Sequence, residues 1–418
     1  MSVEGRATDG WTSSGFESVR AVFDEVDFGA GGGAFAAYVD GRCVVDLWGG
    51  NKRADRPWKQ DTLSTLFSAS KPLVILCAQV LYDRGELDLN APVIEYWPEF
   101  GQAGKERTLV RHILTHSSGV VALDDPESFL KLDGTGFDNY DEIARQLAVA
   151  APAWEPGTKS GYHGLTFGWL VGEVVRRVSG VTPGEFFRTE IAAPWALDLW
   201  VGAPENIHPR IADLHAPSMD GLTPDDMALG MAMGEVQADP ASIMHRAALP
   251  LGGQYLLGNA TQFFGSRMGR LAENASAGAV GNAHSLAKLY AALATGGQID
   301  DVRLVSQETI DTFATEQSHR PAALLPDTFE VRLPSGSVAR SPMERWGLGY
   351  QLRTAATPII PYCLGPNEGT FGHTGMGGQF SLADPAVRLG IGFIRSHQVT
   401  HFRDGERLRD AVYACLAV

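Results

Sequence analysis

The sequence predicts a mixed α/β fold in which a sheet with flanking helices is interrupted by a large, mainly helical segment. Two observations predict it: strand patterns occur near both ends of the chain, and the middle shows helix-and-loop patterns with many Asp, Pro and Gly breaks. We therefore expect a sheet domain built from residues 1–85 and 286–418, and a helical insertion domain of residues 86–285. The chain contains no internal repeat.

Composition indicates a globular protein with a sizeable core. The 418 residues are 44% apolar and 20% charged, which excludes a disordered or collagen-like chain. There are 34 Lys and Arg residues against 49 Asp and Glu, and this net charge of −15 disfavours binding to nucleic acid or to an anionic membrane surface. The longest apolar stretch, residues 73–78, is far shorter than the roughly 20 residues of a membrane span.

The location predicted from the sequence is the cytoplasm. The first residues contain no apolar segment of the kind found in a secretory signal. Cys43, Cys77, Cys363 and Cys415 are isolated and far apart, so buried free thiols explain them more simply than disulfides. Free thiols fit a reducing compartment.

The N-terminal segment is predicted to form a helix followed by a hairpin. Residues 13–27 carry apolar side chains near helical spacing. Two strand patterns, residues 34–39 and 43–48, flank the turn signal at residues 40–41, Asp-Gly.

A second helix is predicted to begin near Ser68 and to end at Gly85. Pro72 is tolerated only in a first helical turn, which places the start just before it. Residues 73–81 are apolar on every side of the helix, so we expect this helix to lie within the core.

The rest of the chain completes the prediction. The insertion holds six of the nine methionines, for which core packing is a simpler explanation than a pliant substrate pocket: Met219, Met227, Met231, Met233, Met244 and Met268. The elements expected after it are a helix at 285–294, strands at 346–352, 378–383 and 389–394, and a closing helix at 403–417.

The pattern Ser-x-x-Lys is the first indication of chemistry, because residues three apart lie on one face of a helix. A serine hydroxyl becomes a nucleophile when a neighbour takes its proton, and a buried lysine can do so. The pattern occurs three times, at Ser68/Lys71, Ser128/Lys131 and Ser285/Lys288. Only the first pair opens an all-apolar helix that would desolvate the lysine.

The other two pairs have simpler explanations. Ser128 lies in a polar, turn-rich stretch with nothing to desolvate a lysine. Ser285 opens an amphipathic helix, where serine is a common N-cap. Because Ser68 could also be an N-cap, the pattern alone leaves both interpretations of Ser68 open.

Two glycine-rich segments add candidate site residues. Residues 154–164 form a loop that presents Tyr162 and His163 ahead of a helical segment. Residues 371–378, Phe-Gly-His-Thr-Gly-Met-Gly-Gly, lead into a strand whose bare backbone N–H groups could approach a bound carbonyl.

Together these segments resemble a known family, the class C serine β-lactamases, DD-peptidases and family VIII carboxylesterases. The resemblance covers most of the chain, and the ordered set of motifs is far more specific than any one of them. The segments that carry it are Ser68-Ala69-Ser70-Lys71, Gly85 to Val93, Ile113 to Gly119, Glu155-Pro156-Gly157, Tyr162, Trp346 to Tyr350 and Gly372-His373-Thr374-Gly375. The resemblance implies a β-lactamase/transpeptidase-like fold, an antiparallel sheet flanked by helices, with the active site in the cleft between the sheet and the insertion.

The resemblance also implies roles for individual residues. Ser68 would be the nucleophile, Lys71 its proton-accepting partner and Tyr162 a second acid/base group; which of Lys71 and Tyr162 takes the proton stays open. Backbone N–H groups of Ser68 and Met376 would form the oxyanion hole. The residues expected to contact substrate are His373, Thr374, Gly375 and His163.

Two departures from the lactam-active members favour an ester substrate. Those members have Tyr-x-Asn, whose amide contacts the substrate, whereas Gly164 has no side chain. They usually carry lysine in the late motif, where this chain has His373, and an imidazole that titrates near about 6.5 is mostly neutral at pH 7. We therefore predict a serine carboxylesterase that acts through an acyl-Ser68 intermediate on short-chain or small acyl esters, with β-lactam hydrolysis only as a weak side activity.

Several alternatives stay open. Within the same fold they are a β-lactamase, a D-amino-acid peptidase and an acyltransferase. A non-catalytic lactam-sensing protein is disfavoured because Ser68, Lys71 and Tyr162 are all present. An α/β-hydrolase needs Gly-x-Ser-x-Gly, and the nearest segment, residues 274–278, lacks the first glycine.

No cofactor and no metal is expected. The glycine cluster at residues 29–33 precedes a strand instead of opening a helix, so it does not fit a dinucleotide loop. His112 and His116 have no third ligand at a recognisable spacing. The expected partner is a small-molecule ester, and the sequence leaves both a monomer and a homodimer open.

Overall fold

A ten-stranded antiparallel sheet is the largest element in the described part of the computed structural model, which comprises residues 8–217, 219, 221–248, 256–360 and 364–416. Nine strands follow one path: β1 (Thr8–Thr12), β3 (Arg42–Arg53), β2 (Gly32–Val39), β17 (Leu389–Arg395), β16 (Gln379–Asp384), β15 (Phe371–Gly375), β14 (Gln351–Leu352), β13 (Met343–Trp346) and β10 (Ser318–Pro321). The tenth strand, β4 (Arg56–Pro57), pairs with β3. Since β2 pairs with β17, the two ends of the chain meet in the middle of the sheet. The predicted antiparallel sheet with flanking helices is confirmed.

Shorter strands and helices complete the structure. The remaining strands are β5 (Ser64–Thr65), β6 (Leu199–Trp200), β7 (Val280–Gly281), β8 (Gln298–Ile299), β9 (Val302–Arg303), β11 (Glu330–Arg332) and β12 (Val338–Arg340). The helices are α1 (Glu17–Asp24), α2 (Lys71–Asp83), α3 (Val110–Leu114), α4 (Tyr140–Val149), α5 (Thr166–Ser179), α6 (Pro183–Phe186), α7 (Pro224–Ala238), α8 (Ile243–Ala248), α9 (Leu256–Gly265), α10 (Arg267–Leu271), α11 (Ala283–Ala294), α12 (Gln307–Ala314) and α13 (Arg403–Leu416). Short 3₁₀ turns lie at Phe67–Ser70, Val93–Glu95, Pro98–Phe100, Pro126–Ser128 and Glu205–Arg210, and a π-helical turn lies at Phe187–Ala192.

The predicted N-terminal hairpin is confirmed as β2 and β3. Asp40 and Gly41 form the turn with φ of 51° and 73°, the left-handed conformation that an Asp-Gly hairpin turn requires. The helix predicted at 13–27 is shorter, because Gly15 with φ of 92° cannot continue a helix and α1 begins after it.

The helix predicted to begin near Ser68 is also confirmed, with a 3₁₀ turn at Phe67–Ser70 leading directly into α2. Pro72 lies in the first turn of α2, where its missing N–H leaves no hydrogen bond unmade. Every residue of α2 from Lys71 to Leu81 is buried. The helix packs against α5 and α12, so it forms the centre of the core that supports the candidate site.

The C-terminal predictions hold with one correction. Strands β16 and β17, helix α11 and helix α13 match their predicted spans, with residue 417 outside the described residues. The strand predicted at 346–352 is two strands, β13 and β14. Gly349 between them has a φ of 92°, which breaks the extended conformation.

The segment between residues 86 and 285 is mainly helical, as predicted, but its methionines do not all pack in a core. Met219, Met227 and Met231 are 68%, 46% and 72% exposed, so the core-packing explanation is wrong for them. Met233 and Met244 line the cavity described below.

Two predictions of location and organisation stay predictions. In the part of the chain that the structure describes, no helix has both the length and the apolar content that a membrane crossing needs. Cys43, Cys77 and Cys415 carry free thiols, and Cys363 lies outside the described residues. Neither finding tests the cytoplasmic location or the division into two domains.

A buried arginine ties the sheet to the closing helix. The Arg395 side chain, at the end of β17, is 1% exposed and donates to Asp404 Oδ2 at 2.8 Å in α13. Its guanidinium also donates to the carbonyl oxygens of Asp27 at 2.7 Å and His397 at 2.6 Å. Removing the carboxylate would therefore leave a buried cation without its counter-charge.

We expect Asp404→Ala to lower the free energy of unfolding by about 3–5 kcal/mol, because breaking a buried pair leaves an uncompensated charge. The control is Glu25→Ala, which removes the partner of Arg407 in an exposed pair with side chains 65% and 48% exposed. That change should cost about 0–1 kcal/mol. Urea unfolding of both variants measures the difference, and equal losses would contradict the assigned role of Arg395.

Candidate active site

Ser68 is the half-buried residue of an otherwise buried turn at the start of α2. The preceding residue, Phe67, has a φ of 46°, a conformation that is costly for a bulky side chain. Its ring packs edge-on against Phe264 with centroids 5.8 Å apart. The surrounding core thus holds a strained backbone directly beside the candidate nucleophile, which is where such strain is commonly found.

Lys71 lies one turn along the same face and is fully buried. Its Nζ is 3.3 Å from Ser68 Oγ and 3.0 Å from each of the carbonyl oxygens of Gly164 and Ser276. Burial lowers the pKa of the Lys71 amine well below its ordinary value. In the described parts of the chain, no carboxylate forms an ion pair with this amine.

The lowered pKa favours a neutral amine, which has two N–H bonds and one lone pair. The carbonyl oxygens of Gly164 and Ser276 can only accept, so each takes one N–H. The lone pair is then left for the proton of Ser68. The arrangement is therefore able to remove the hydroxyl proton of Ser68.

Tyr162 completes the group that sequence analysis brought together. Its ring centroid is 4.6 Å from Lys71 Nζ. The ring stacks on Trp346 with centroids 5.7 Å apart and planes 11° apart, and it also contacts His116 at 5.0 Å. Tyr162 and Ser68 line the same cavity, so the structure places a phenol, an amine and a hydroxyl together.

The backbone of the late glycine-rich strand, β15, packs directly against the backbone of the Ser68 turn. A Cβ atom on Gly375 would lie 2.6 Å from the carbonyl oxygen of Leu66 and 3.4 Å from the amide nitrogen of Ala69. Only glycine fits this contact between β15 and the turn. Thr374, Gly375 and Met376 consequently line the cavity beside Ser68.

The cavity has two lobes that meet at Ser68. The larger lobe has a volume of about 510 Å³ and the smaller lobe about 250 Å³. Both are lined by the same five residues at their junction, Ser68, Tyr162, Met244, Leu324 and Met376. The smaller lobe is closed mainly by small and aromatic side chains: Phe67, Leu165, Ala247, Ala248, Ala260, Phe264 and Ala277. A substrate with two unequal halves therefore fits with one half in each lobe and the Ser68 hydroxyl between them.

The structure does not bring His373 and His163 into the wall of the cavity. His373 is fully buried behind the rings of Tyr162 and Trp346, and burial lowers its pKa to about 3, so its imidazole is neutral. His163 is also fully buried and donates from Nδ1 to the carbonyl oxygen of Gly161 at 2.6 Å, while its Nε2 lies 2.8 Å from Ser118 Oγ. The expected substrate contacts of these two imidazoles are therefore replaced by packing and by internal hydrogen bonds.

The other Ser-x-x-Lys pairs lack this environment. The Lys131 amine reaches the backbone carbonyl of Glu127 at the surface. Ser285 is not the N-cap of its helix; Asn282 is, and its side chain accepts the Ser285 N–H at 2.8 Å. The Lys288 amine donates to the carbonyl oxygen of Trp195 at 2.9 Å, away from Ser285.

The histidines considered as metal ligands have structural partners. His112 Nδ1 accepts the N–H of Leu109 at 3.2 Å, and His116 Nδ1 accepts that of His163 at 3.1 Å. Among the described residues, potential metal ligands cluster only at Cys43, Asp46 and His284, none of which lines the cavity.

Three contributors to the site were missed by sequence analysis. Ser276 holds Lys71 through its carbonyl, and its Oγ joins the loop to α5 by donating to Leu165 at 2.9 Å and accepting from Gly168 at 2.6 Å. Trp346 supports the ring of Tyr162. Glu344 places a carboxyl group in the wall of the larger lobe. A backbone carbonyl has no residue signature, but the position of Glu344 two residues before Trp346 on a strand could have placed both on one face.

Comparison with known proteins bears on the family of the chain. The profile of the beta-lactamase family matches residues 19–414. The chain belongs to the beta-lactamase family. A family match over nearly the whole length confirms the resemblance drawn from the ordered motifs.

Three relatives of this beta-lactamase family member show where it stands in the family. It is 33% identical over 375 residues to the Esterase/beta-lactamase LipL of Mycobacterium tuberculosis, covering 88% of this chain and 77% of that protein. The crystal structure of a family VIII carboxylesterase has a TM-score of 0.78 at 30% identity, covering 98% of this chain and all of that one. A penicillin-binding protein homologue from Caulobacter crescentus has a TM-score of 0.77 at 30% identity, again over 98% of this chain and all of that one.

The close contact at Gly375 yields a test of the site's construction. We expect Gly375→Ala to lower the free energy of unfolding by about 1–3 kcal/mol, because the new methyl group would displace β15 from the Ser68 turn. Gly369→Ala is the control, since a Cβ there would meet nothing within 4 Å. Thermal and urea unfolding measure both variants, and an unchanged Gly375→Ala protein would contradict the contact.

Proposed function

We propose that this protein is a serine carboxylesterase that hydrolyses short-chain or small acyl esters through an acyl-Ser68 intermediate. The observation that carries the proposal is the buried amine of Lys71, which donates to two carbonyl oxygens and lies 3.3 Å from Ser68 Oγ. Similarity to proteins named as an esterase/beta-lactamase and a family VIII carboxylesterase supports ester hydrolysis.

The acylation step follows from the contacts of Ser68. Its Oγ attacks the ester carbonyl carbon while its proton moves to Lys71 Nζ, which becomes an ammonium. The negative charge on the carbonyl oxygen would be stabilised by the backbone N–H groups of Ser68 and Met376. The C–O bond then breaks, the alkoxide takes up a proton and the alcohol leaves.

Tyr162 is proposed to deliver that proton and later to help activate water. Its ring lies beside Lys71 Nζ, and it lines both lobes at their junction, so either half of an ester passes it. Proton transfer from the Lys71 ammonium to Tyr162 would restore the neutral amine. Water then attacks the acyl carbon while one of its protons passes to the Lys71 amine, the bond to Ser68 Oγ breaks, and that proton is returned to Ser68 as the carboxylic acid leaves.

Two features favour esters over lactams and peptides. Gly164 contributes a backbone carbonyl to Lys71 and no side-chain amide to the cavity. His373, at the position of the lysine in lactam-active relatives, is neutral and buried outside the cavity wall. The smaller lobe of about 250 Å³ fits a short acyl chain, and among the described residues that line the two lobes, the cation Arg345 is already paired with Glu316 and Glu368.

We also propose that the site lies between the sheet-bearing segments and the helical insertion. The sheet-bearing segments supply Ser68, Thr374 and Met376 to the cavity wall, and the helical insertion supplies Tyr162 and Met244. The proposal is supported by this division of the lining, since each half alone would provide only one side of the cavity.

We expect Ser68→Ala and Lys71→Ala to lower kcat/KM for p-nitrophenyl acetate and butyrate by about 10⁴-fold or more, because nucleophile and base act as one unit. The matched controls are Ser128→Ala and Lys131→Ala, which alter the second Ser-x-x-Lys pair at the surface and should retain activity. Intact-mass analysis should detect an acyl group on the wild type and none on Ser68→Ala. Undiminished turnover by Ser68→Ala, or faster turnover of a chromogenic cephalosporin than of the esters, would falsify the proposal.

The lowered pKa of Lys71 predicts the direction of the pH dependence. The base must be neutral, so activity is present above the folded-state pKa of Lys71 and should be lost as pH falls through it, with a slope of about one decade per pH unit. Lys71→Arg should be inactive throughout, because a guanidinium keeps its proton. Profiles of kcat/KM from pH 5 to 9 test this, and an acid limb that disappears in Tyr162→Phe would assign the base to Tyr162 instead.

A further inference from the structure

The wall of the larger lobe contains a carboxyl group that the hydrolytic mechanism does not use. Glu344 lies in β13, is half-buried and lines the lobe of about 510 Å³ that opens beside Ser68. Its Oε2 accepts a hydrogen bond from the Trp346 indole N–H at 3.3 Å. This neutral donor orients the carboxyl group without balancing its charge.

Nearby cations are engaged elsewhere. Arg320 on β10 lies directly opposite Glu344 in the sheet, but its guanidinium donates to the carbonyl oxygen of Gly157 at 2.6 Å. Arg345, which also lines the lobe, pairs with Glu316 and with Glu368. In the described parts of the chain, no lysine, arginine or histidine forms an ion pair with Glu344.

The remaining charged and titratable groups on the adjoining strands also form no ion pair with Glu344. His319 on β10 lies opposite Arg345 and faces Glu316 at 3.9 Å. On the other side of β13, β14 contributes the neutral residues Gln351 and Leu352. Arg353, which follows β14, pairs with Glu368. Glu344 is therefore the carboxyl group that the cavity offers to a bound molecule.

Desolvation makes this carboxyl group responsive to a bound cation. Burial raises the pKa of Glu344 to about 7, despite the hydrogen bond from Trp346 that favours the charged form. A carboxylate without a counter-ion is costly in such a place, so an entering cation would gain more there than at an exposed carboxylate.

The same lobe has aromatic walls. Tyr162, Trp346 and Phe402 line it together with Glu344. Aromatic faces beside a carboxylate attract quaternary and other ammonium groups through the ring quadrupole. The lobe thus combines a negative group, apolar walls and a direct opening onto the nucleophile.

We propose that Glu344 makes the larger lobe selective for esters in which one half carries a positively charged amine. The inference rests on the ester hydrolysis proposed above and assigns its substrate class. Glu344 acts as a specificity-determining residue: it binds the cation some distance from the carbonyl and takes no part in proton transfer at Ser68.

Pairs of isosteric esters test the proposal, because each pair differs in charge and hardly in shape. Acetylcholine and 3,3-dimethylbutyl acetate place the difference in the alcohol. The p-nitrophenyl esters of 4-(trimethylammonio)butanoic acid and 5,5-dimethylhexanoic acid place it in the acyl group. Both pairs are needed because either half of an ester bound at Ser68 can extend into the larger lobe.

In at least one pair, we expect the wild type at pH 8 to prefer the cationic ester by about 10-fold in kcat/KM, and Glu344→Gln to lose most of this preference. Glu330→Gln is the matched control: it removes the same charge from an exposed carboxylate paired with Arg340 and should keep the preference. That control matters because a net charge of −15 attracts any cation to the protein.

The pH dependence of the preference separates Glu344 from the catalytic groups. The ratio of the two kcat/KM values cancels the titration of Lys71, which affects both esters alike. Because the charged form of Glu344 binds the cation, the ratio should rise from pH 6 to pH 8 in the wild type and stay flat in Glu344→Gln.

A binding measurement keeps this inference distinct from the proposed hydrolysis. In at least one of the two pairs, Ser68→Ala should bind the cationic ester more tightly than its neutral partner in calorimetry, and the double variant Ser68→Ala/Glu344→Gln should not. Hydrolysis of the neutral esters without any preference in either pair would overturn the role of Glu344 and leave the esterase intact. Absence of hydrolysis with a Glu344-dependent binding preference would overturn the esterase and retain the cation site, and absence of the preference in both assays would end the inference.

Discussion

The desolvated amine of Lys71 is the constraint on which the rest of the site depends. An ammonium without a carboxylate is costly to bury, so burial lowers the pKa of the amine and favours its neutral form. A neutral amine still needs acceptors, and it finds them in the carbonyl oxygens of Gly164 and Ser276, 93 and 205 positions away along the chain. Burying one lysine therefore requires two distant loops to close over α2, and those loops bring Tyr162 with them.

The opposite wall of the cavity, formed by β15, is positioned by close backbone packing instead of hydrogen bonds. Gly375 allows β15 to come within contact of the Ser68 turn, in which Phe67 has a strained φ of 46°. These two constraints act on different groups. The hydrogen bonds of Lys71 fix the amine next to the Ser68 hydroxyl, and the close contact at Gly375 fixes β15 against the Ser68 turn. Between them Ser68 remains half-buried while its neighbours Phe67, Ala69 and Ser70 are fully covered.

The sequence predicts a site residue when the residue type decides its role. It fails when the direction of the side chain decides that role. The hairpin at Asp40 and the buried helix after Ser68 were predictable because turn chemistry and apolar pattern are local properties. The directions of His163 and His373 were not, since a side chain beside a site residue points into the cavity or into the core according to packing from remote segments. The carbonyl of Ser276 was invisible for another reason: every residue has one, so no residue type marks it.

The same distinction explains how catalysis and recognition are divided in this chain. The proton transfer proposed at Ser68 relies on a buried lysine and on backbone carbonyls, which tolerate little change because each contact satisfies a group that cannot reach water. The larger lobe is lined by side chains from separate strands, where one substitution alters charge without disturbing the amine. With His373 neutral and withdrawn from the wall, the larger lobe has two charged side chains among the described residues, and Arg345 is paired with Glu316 and Glu368 whereas Glu344 has no ion-pair partner there. If Glu344 binds a cation as proposed, the larger lobe favours a ligand charge opposite to that of the substrate carboxylate that a lysine in the late motif would attract.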